Sequence, residues 1–191
     1  RLAKLCNLIG ARLIHISTDC VFSGRKGMYK EEDLSDAEDL YGKSKYIGEL
    51  HDIAHAVTLR TSIIGHELNS SDSLVNWFLS QHGTVKGYEK AVFSGFPAVE
   101  LAKIIRDYVI PIPDLQGLFH ISSNPIDKYS LLSLIADIYH KDIVDNLKSS
   151  HKDYLDFLER KQAVIEYIDP NEANNSLIAR DYRSIDKDYT H

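Results

Sequence analysis

Two short apolar runs, residues 12–17 (RLIHIS) and 57–64 (VTLRTSII), each follow a stretch with helical spacing, and this alternation leaves few architectures open. Before the first run, Leu2, Leu5, Cys6 and Ile9 recur at helical intervals, with Gly10 as a stop signal. The run that follows directly reads as a parallel strand buried on both faces. Residues 23–39 are rich in Gly, Lys, Glu, Asp and Ser and read as loop. Residues 41–56 read as a second helix with Ile47, Leu50, Ile53 and Ala54 on one face, and the β-branched run 57–64 as the next strand. The order helix, strand, loop, helix, strand predicts an α/β, doubly wound parallel sheet.

The pattern then changes. Residues 73–81 read as a helix, and 83–96 as loop and short strand punctuated by Gly83, Gly87 and Gly95. Residues 99–110 place Leu101, Ile104, Ile105 and Tyr108 at helical spacing, and Pro111 and Pro113 end that helix. A strand at 118–122 and a helix at 131–139 follow, the latter with Leu131, Leu134, Ile135 and Ile138 inward. A helix at 150–160, a strand at 164–168 and a polar tail complete the expectation. There is no internal repeat or low-complexity tract.

Hydrophobic residues make up 43% and charged residues 26%, which predicts a globular chain. Lys+Arg 22 against Asp+Glu 28 gives 22 − 28 = −6, which argues against nucleic acid or an anionic membrane as partner. No apolar run reaches the roughly 18 residues of a membrane span, and no signal peptide opens the chain. Two cysteines, Cys6 and Cys20, are too few for a disulfide framework, so a reducing cytoplasm is expected. The chain opens on Arg1 in mid-pattern, which predicts the later part of a longer protein or a processed or truncated chain.

The chemistry centres on Tyr41 and Lys45, four positions apart at a helix start, and on Thr18 at the end of the first strand. A ketone accepts hydride readily only if its oxygen is hydrogen-bonded or protonated as charge develops. Tyrosine, with an ordinary pKa of about 10, is a poor acid for this near neutrality. An ammonium one helical turn away favours the phenolate and lowers that pKa. Thr18 can donate a second hydrogen bond to the same oxygen. Hydride has to come from a cofactor, since no side chain supplies it. By itself Tyr-x-x-x-Lys is a weak pattern, equally met by a tyrosine packed at a helix start and a solvated lysine.

The surrounding residues carry more. Ile16-Ser17-Thr18-Asp19-Cys20-Val21-Phe22-Ser23-Gly24, then Tyr29-x-Glu31-x-Asp33, Tyr41-Gly42-Lys43-Ser44-Lys45-x-x-Gly48-Glu49 and Leu59-Arg60-Thr61-Ser62 form one string. It resembles the extended short-chain dehydrogenase/reductase superfamily, and within it the dTDP-4-dehydrorhamnose reductase branch. The resemblance continues more faintly through Ser94–Pro97 and Val99–Ala102, and fades after Ser133.

That resemblance implies a later part of a Rossmann-type domain over residues 1–66. It implies a mainly substrate-binding lobe with interleaved Rossmann elements over 67–170, and a polar tail over 171–191. It implies Tyr41 as general acid, Lys45 as its activator and ribose contact, and Thr18 as holder of the substrate carbonyl. Ser17, Arg60, Thr61 and Ser62 would line the cofactor side, and Asp19, Cys20 and Ile63 the sugar. Lys86, in a short basic-aromatic stretch with Tyr88 and Lys90, would meet a nucleotide diphosphate unless it is a solvated loop residue. The implied reaction is reduction of a nucleotide-diphosphate 4-keto-6-deoxy sugar with NADP or NAD as cofactor. Alternatives are a 4-epimerase or dehydratase of the same superfamily, and a non-catalytic regulatory subunit. A homo-oligomer is left open, because missing strands would expose sheet edges.

Three features depart from the branch. Cys20 stands where Tyr is usual, and Ile63 where an aromatic residue is common. No G-x-x-G-x-x-G fingerprint occurs, so these residues alone should bind a nicotinamide cofactor poorly. Gly24-Arg25-Lys26-Gly27 reads as a surface turn. His51 and His55, four apart on the expected second helix, lack a third ligand and read as a solvated face rather than a metal site. Cys20 reads as a packing residue, and Trp77 and Phe78 as core.

Overall fold

Helix α1 (Leu2–Leu8) gives way at Gly10, whose φ of 66° suits a residue without a side chain, and the chain turns into strand β1 (Leu13–Thr18). The computed structural model describes residues 1–68, 73–141 and the strand 147–150; the expected helix 150–160, strand 164–168 and tail lie outside them. Strand β1 pairs in parallel with β2 (Ala56–Thr61), which pairs in parallel with the strand Gly117–His120. The fold class is α/β, with a Rossmann-type parallel sheet, as the alternation predicts.

One face of this sheet is apolar. Val57, Leu59 and Ile121 pack with Leu101, Ile104 and Val109, and Ile14, Ile16 and Phe119 join them from neighbouring strands. The other face, set by the period-two alternation of strands, carries Ser17, Arg60 and His120.

Helix α2 runs only over Leu40–Ile47, so the expected helix 41–56 is corrected to half its length. Asp39 caps it, its carboxylate accepting from Gly42 N at 3.0 Å. Its end has a cause in the sheet. The Thr58 hydroxyl accepts from Leu50 N at 3.1 Å and donates to Leu50 O at 2.9 Å, drawing that backbone out of helical register. Leu50, Ile53 and Ala54 therefore share no helix face, and Ile47 is 82% exposed. His51 and His55 lie beyond the helix, which removes the i, i+4 geometry that motivates a metal pair.

The run 57–64 breaks at Ser62. Its end, β3 (Ile63–Ile64), pairs in parallel with the strand Phe96–Pro97. Helix α3 (Leu74–Ser80), β4 (Val85–Tyr88), β5 (Val92–Phe93), β6 (Phe96–Pro97) and α4 (Ala98–Ile104) follow. The expected helix 99–110 is regular only to Ile104 and then widens into a π turn, Ile105–Val109. Arg12 holds the end of that turn, donating to Val109 O and Leu115 O at 2.8 Å each.

After β7 (Gly117–His120) come β8 (Ile126–Asp127), helix α5 (Lys128–Ile138) and β9 (Leu147–Ser150). Strand β4 pairs in parallel with β9, and β5 antiparallel with β8. A second core joins Val75, Phe78, Val85 and Phe93 to Leu131, Leu132 and Ile135; Trp77 packs against it, partly buried. The inward face of α5 is corrected by about one residue's rotation. Leu131 and Ile135 are buried as expected, but Leu132 and Ala136 complete the face, while Leu134 and Ile138 are exposed.

Candidate active site

At one register of the sheet three polar residues stand side by side: Ser17 on β1, Arg60 on β2 and His120 on β7. Arginine in a central strand is tolerated only if a counter-charge meets it. Glu49, just beyond α2, supplies that charge. Its Oε1 accepts from Arg60 Nε at 2.8 Å and from Ser17 Oγ at 2.6 Å, and its Oε2 from Arg60 at 2.7 Å. The two side chains are 1% and 0% exposed. The guanidinium also lies over the Phe22 ring at 4.9 Å, and Phe22 stacks on Tyr29 at 4.3 Å. This row pins the end of α2 to the sheet.

His120 lies 3.2 Å from Arg60 NH1 through Nε2, which fixes Nε2 as acceptor and puts the ring proton on Nδ1. Burial, and then the Arg60 charge, lower its pKa to about 4. Among the described residues its Nδ1 has no hydrogen-bond partner, and the backbone N of His120 donates to Glu31 at 2.9 Å. His15, two residues before Ser17 on the same face, also has its pKa lowered, by burial first and Lys45 second.

The row holds α2 where its side chains reach the C-terminal end of β1. Lys45 Nζ donates to Ile16 O at 2.9 Å. Tyr41 lies one turn earlier, 55% exposed, and among the described residues its hydroxyl hydrogen-bonds to neither Lys45 nor Thr18. The helix approaches so closely because residue 42 is glycine. A Cβ there would lie 2.2 Å from Cys20 O and 2.7 Å from Ala37 Cβ.

Thr18 is buried, its Oγ1 donating to Asp19 Oδ1 at 3.2 Å and accepting from Cys20 N at 3.2 Å. Asp19 is 3% exposed and also accepts from the Ser62 hydroxyl and, at 3.7 Å, from the Cys20 thiol. Burial raises its pKa, against the pull of these donors. Thr18, Asp19, Cys20 and Ser62 thus form one group. Thr61 is buried beside it, and Ile63 is half exposed. Lys86 stands apart on β4, exposed, in a different sheet.

Glu49 and His120 are the residues that the sequence reading gave no role. A signal existed for Glu49: an arginine inside an apolar strand needs a carboxylate, and Gly48-Glu49 closes the Tyr41 motif. His120 follows only from the register of β7. Among the described residues no group of three or more His, Cys, Asp or Glu is placed to hold a metal ion. No described helix is long and apolar enough to cross a membrane.

These features agree with known proteins. The RmlD substrate binding domain profile matches residues 1–162. The chain belongs to that family, within the extended short-chain dehydrogenase/reductase superfamily. It is 32% identical over 170 residues to the protein named methionine adenosyltransferase 2 subunit beta from Bos taurus, covering 78% of this chain and 47% of that one. The chain spans about half the length of the curated relatives it matches. Over 42 residues it is 52% identical to the spore coat polysaccharide biosynthesis protein SpsK of Bacillus subtilis (strain 168), covering 22% and 15% of the two chains.

Among solved structures, a hypothetical dTDP-4-dehydrorhamnose reductase from Sulfolobus tokodaii superposes with a TM-score of 0.64 at 25% identity, covering 79% of this chain and 54% of that one. The dTDP-4-dehydrorhamnose reductase from Bacillus anthracis str. Ames, solved in complex with NADP, superposes with a TM-score of 0.69 at 22% identity, covering 91% and 63%.

Proposed function

We propose that this chain carries the catalytic residues of an NAD(P)H-dependent reductase of a nucleotide-diphosphate 4-keto-6-deoxy sugar, serving surface-polysaccharide precursor synthesis. The observation that supports the reading is the anchoring of Lys45 on Ile16 O, two residues before Thr18, with the Tyr41 phenol exposed one helical turn before Lys45. In this reading Tyr41 gives its proton to the keto oxygen, Lys45 keeps a positive charge near the phenol, and Thr18 holds the same oxygen. General acid catalysis of this type contributes roughly 10²–10⁴-fold. The nicotinamide, when bound, supplies the hydride. Tyr41 and Lys45 suit its ribose end, being accessible and able to donate. Arg60 does not suit a cofactor contact, because its guanidinium is enclosed and already paired with Glu49. The pyrophosphate would need a glycine-rich turn that these 191 residues do not contain. Asp19, Cys20 and Ile63 would lie toward the sugar and Lys86 toward a diphosphate.

A second reading has its own support. The curated relatives at 32% identity are named as a subunit beta of methionine adenosyltransferase 2, which favours a regulatory scaffold built on the same fold. A dehydratase has less support, since Cys20 stands where an acidic residue would be expected beside Asp19. The test is NAD(P)H oxidation by the intact protein with dTDP-4-keto-6-deoxy sugars. Turnover that falls at least about 10²-fold in Tyr41→Phe supports the reductase. Absence of turnover in the wild type rejects it in favour of the scaffold, and turnover indifferent to Tyr41→Phe removes the proposed acid.

A further inference from the structure

The hydroxyl assigned to the substrate oxygen is already committed. Thr18 has one proton to donate, and in this structure it goes to Asp19 Oδ1 at 3.2 Å. One of its two acceptor sites is filled by Cys20 N. The Ser62 hydroxyl and the Cys20 thiol also donate to the Asp19 carboxyl. An ionised Asp19 can only accept, so Thr18, Ser62 and Cys20 must all point at it. No proton on Thr18 then remains for a ligand oxygen.

We propose that Asp19 is a positioning residue whose protonation state decides whether the Thr18 hydroxyl can donate to a bound carbonyl oxygen. The inference rests on the reductase reading for its consequence in catalysis, and on the hydrogen-bond pattern alone for the coupling of Asp19 to Thr18. With a proton on Oδ1, a neutral Asp19 still accepts from Ser62 at Oδ2. The carboxyl O–H then donates to the free acceptor site of Thr18 Oγ1. The Thr18 proton rotates toward the ligand, and every donor and acceptor in the group stays satisfied. No bond other than hydrogen bonds changes, and the carboxyl proton stays on Asp19 throughout.

The surroundings favour the neutral carboxyl. Asp19 is 3% exposed, and its direct partners are two hydroxyls, a thiol and its own backbone, none of them cationic. The charged groups on the elements packed around it have other commitments: Lys45 of α2 donates to Ile16 O, Asp39 caps Gly42 N, and Arg60 of β2 clasps Glu49. Burial accordingly raises the Asp19 pKa. Reduction would fall away as pH rises and Asp19 ionises.

The test has two arms on the intact protein. In the first, ¹³C-carboxyl NMR follows the titration of Asp19 in wild type and in Thr18→Val. Loss of a donor to the carboxylate should move the Asp19 midpoint upward, by about one pH unit for one charge-assisted hydrogen bond. An unmoved midpoint overturns the coupling whether or not the protein turns over. In the second, kcat/KM for a dTDP-4-keto-6-deoxy sugar is measured against pH in wild type and Asp19→Asn. The asparagine amide donates to Thr18 at every pH. The fall in kcat/KM that accompanies Asp19 ionisation in the wild type should therefore move up by about one pH unit or more in Asp19→Asn, leaving roughly tenfold more of the rate above that fall. The comparison is between the two proteins, not with a theoretical curve. Superimposable profiles overturn the positioning role. A moved NMR midpoint with no turnover in the wild type would reject the reductase reading while keeping the Asp19–Thr18 coupling.

Discussion

Removing Arg60 while keeping Glu49 should cost the fold about 3–5 kcal/mol, because it strands a carboxylate in a place water does not reach. Glu49 accepts three hydrogen bonds in this structure, two of them from the guanidinium at 2.8 and 2.7 Å, and its side chain is 0% exposed. Arg60→Met keeps most of the side-chain volume and deletes only the charge and the donors. Set against an ordinary domain stability of about 5–15 kcal/mol, the loss takes about a fifth of the total or more. Arg60→Met with Glu49→Leu removes both charges and should recover most of the loss, since an apolar pair avoids the desolvation that the ion pair has to overcome. The assay is urea unfolding followed by circular dichroism on the wild type, both singles and the double, read as a double-mutant cycle. Additive effects of the singles, or an Arg60→Met cost below about 1 kcal/mol, would refute the argument that this pair is enclosed and mutually dependent. Arg60→Lys should not rescue, because an ammonium cannot reproduce the two parallel donors.

Two other predictions follow from the same site. His120 binds fewer protons folded than unfolded between its lowered pKa of about 4 and its ordinary 6.5, so its contribution is complete above pH 6.5 and is lost as pH falls toward 4. The loss is at most about 3.5 kcal/mol at 1.4 kcal/mol per unit, and urea midpoints measured from pH 7 to pH 4 should fall less steeply in His120→Gln than in wild type. Gly42→Ala should destabilise by about 1–3 kcal/mol despite alanine's better helix propensity, because its Cβ meets the Cys20 carbonyl at 2.2 Å; thermal unfolding that shows no loss would contradict that close approach.

The parallel sheet was legible because strands buried on both faces write themselves as short runs of apolar and β-branched residues, as at Val57–Leu59. The early end of α2 was not, because Leu50, Ile53 and Ala54 keep a helical period that the Thr58 hydroxyl overrules from a distant strand. The face of α5 was half legible: a period of 3.6 leaves adjacent choices such as Leu132 or Leu134 nearly equal until the opposing core selects one. At the site, the proposed triad could be listed from its motif, but its supporting row could not. Arg60 looked like a ligand contact, and only the register that sets Ser17, Arg60 and His120 abreast shows what the arginine holds. Whether Thr18 has a proton to spare is likewise a property of hydrogen-bond direction, which spacing does not encode.

The third strand of the parallel sheet comes from far along the chain, and this orders events during synthesis. Strands β1 and β2 can meet as soon as β2 has left the ribosome, and the Glu49–Arg60 clasp can close with them. His120 and the Glu31 contact at its backbone arrive only after the whole intervening segment has emerged. Until then one side of β2 stays open to water or to a neighbouring nascent chain, so a non-local pairing of this kind slows folding and exposes an edge meanwhile. Arg60, next to the end of that waiting strand, is a charged residue of the kind that discourages edge-to-edge pairing.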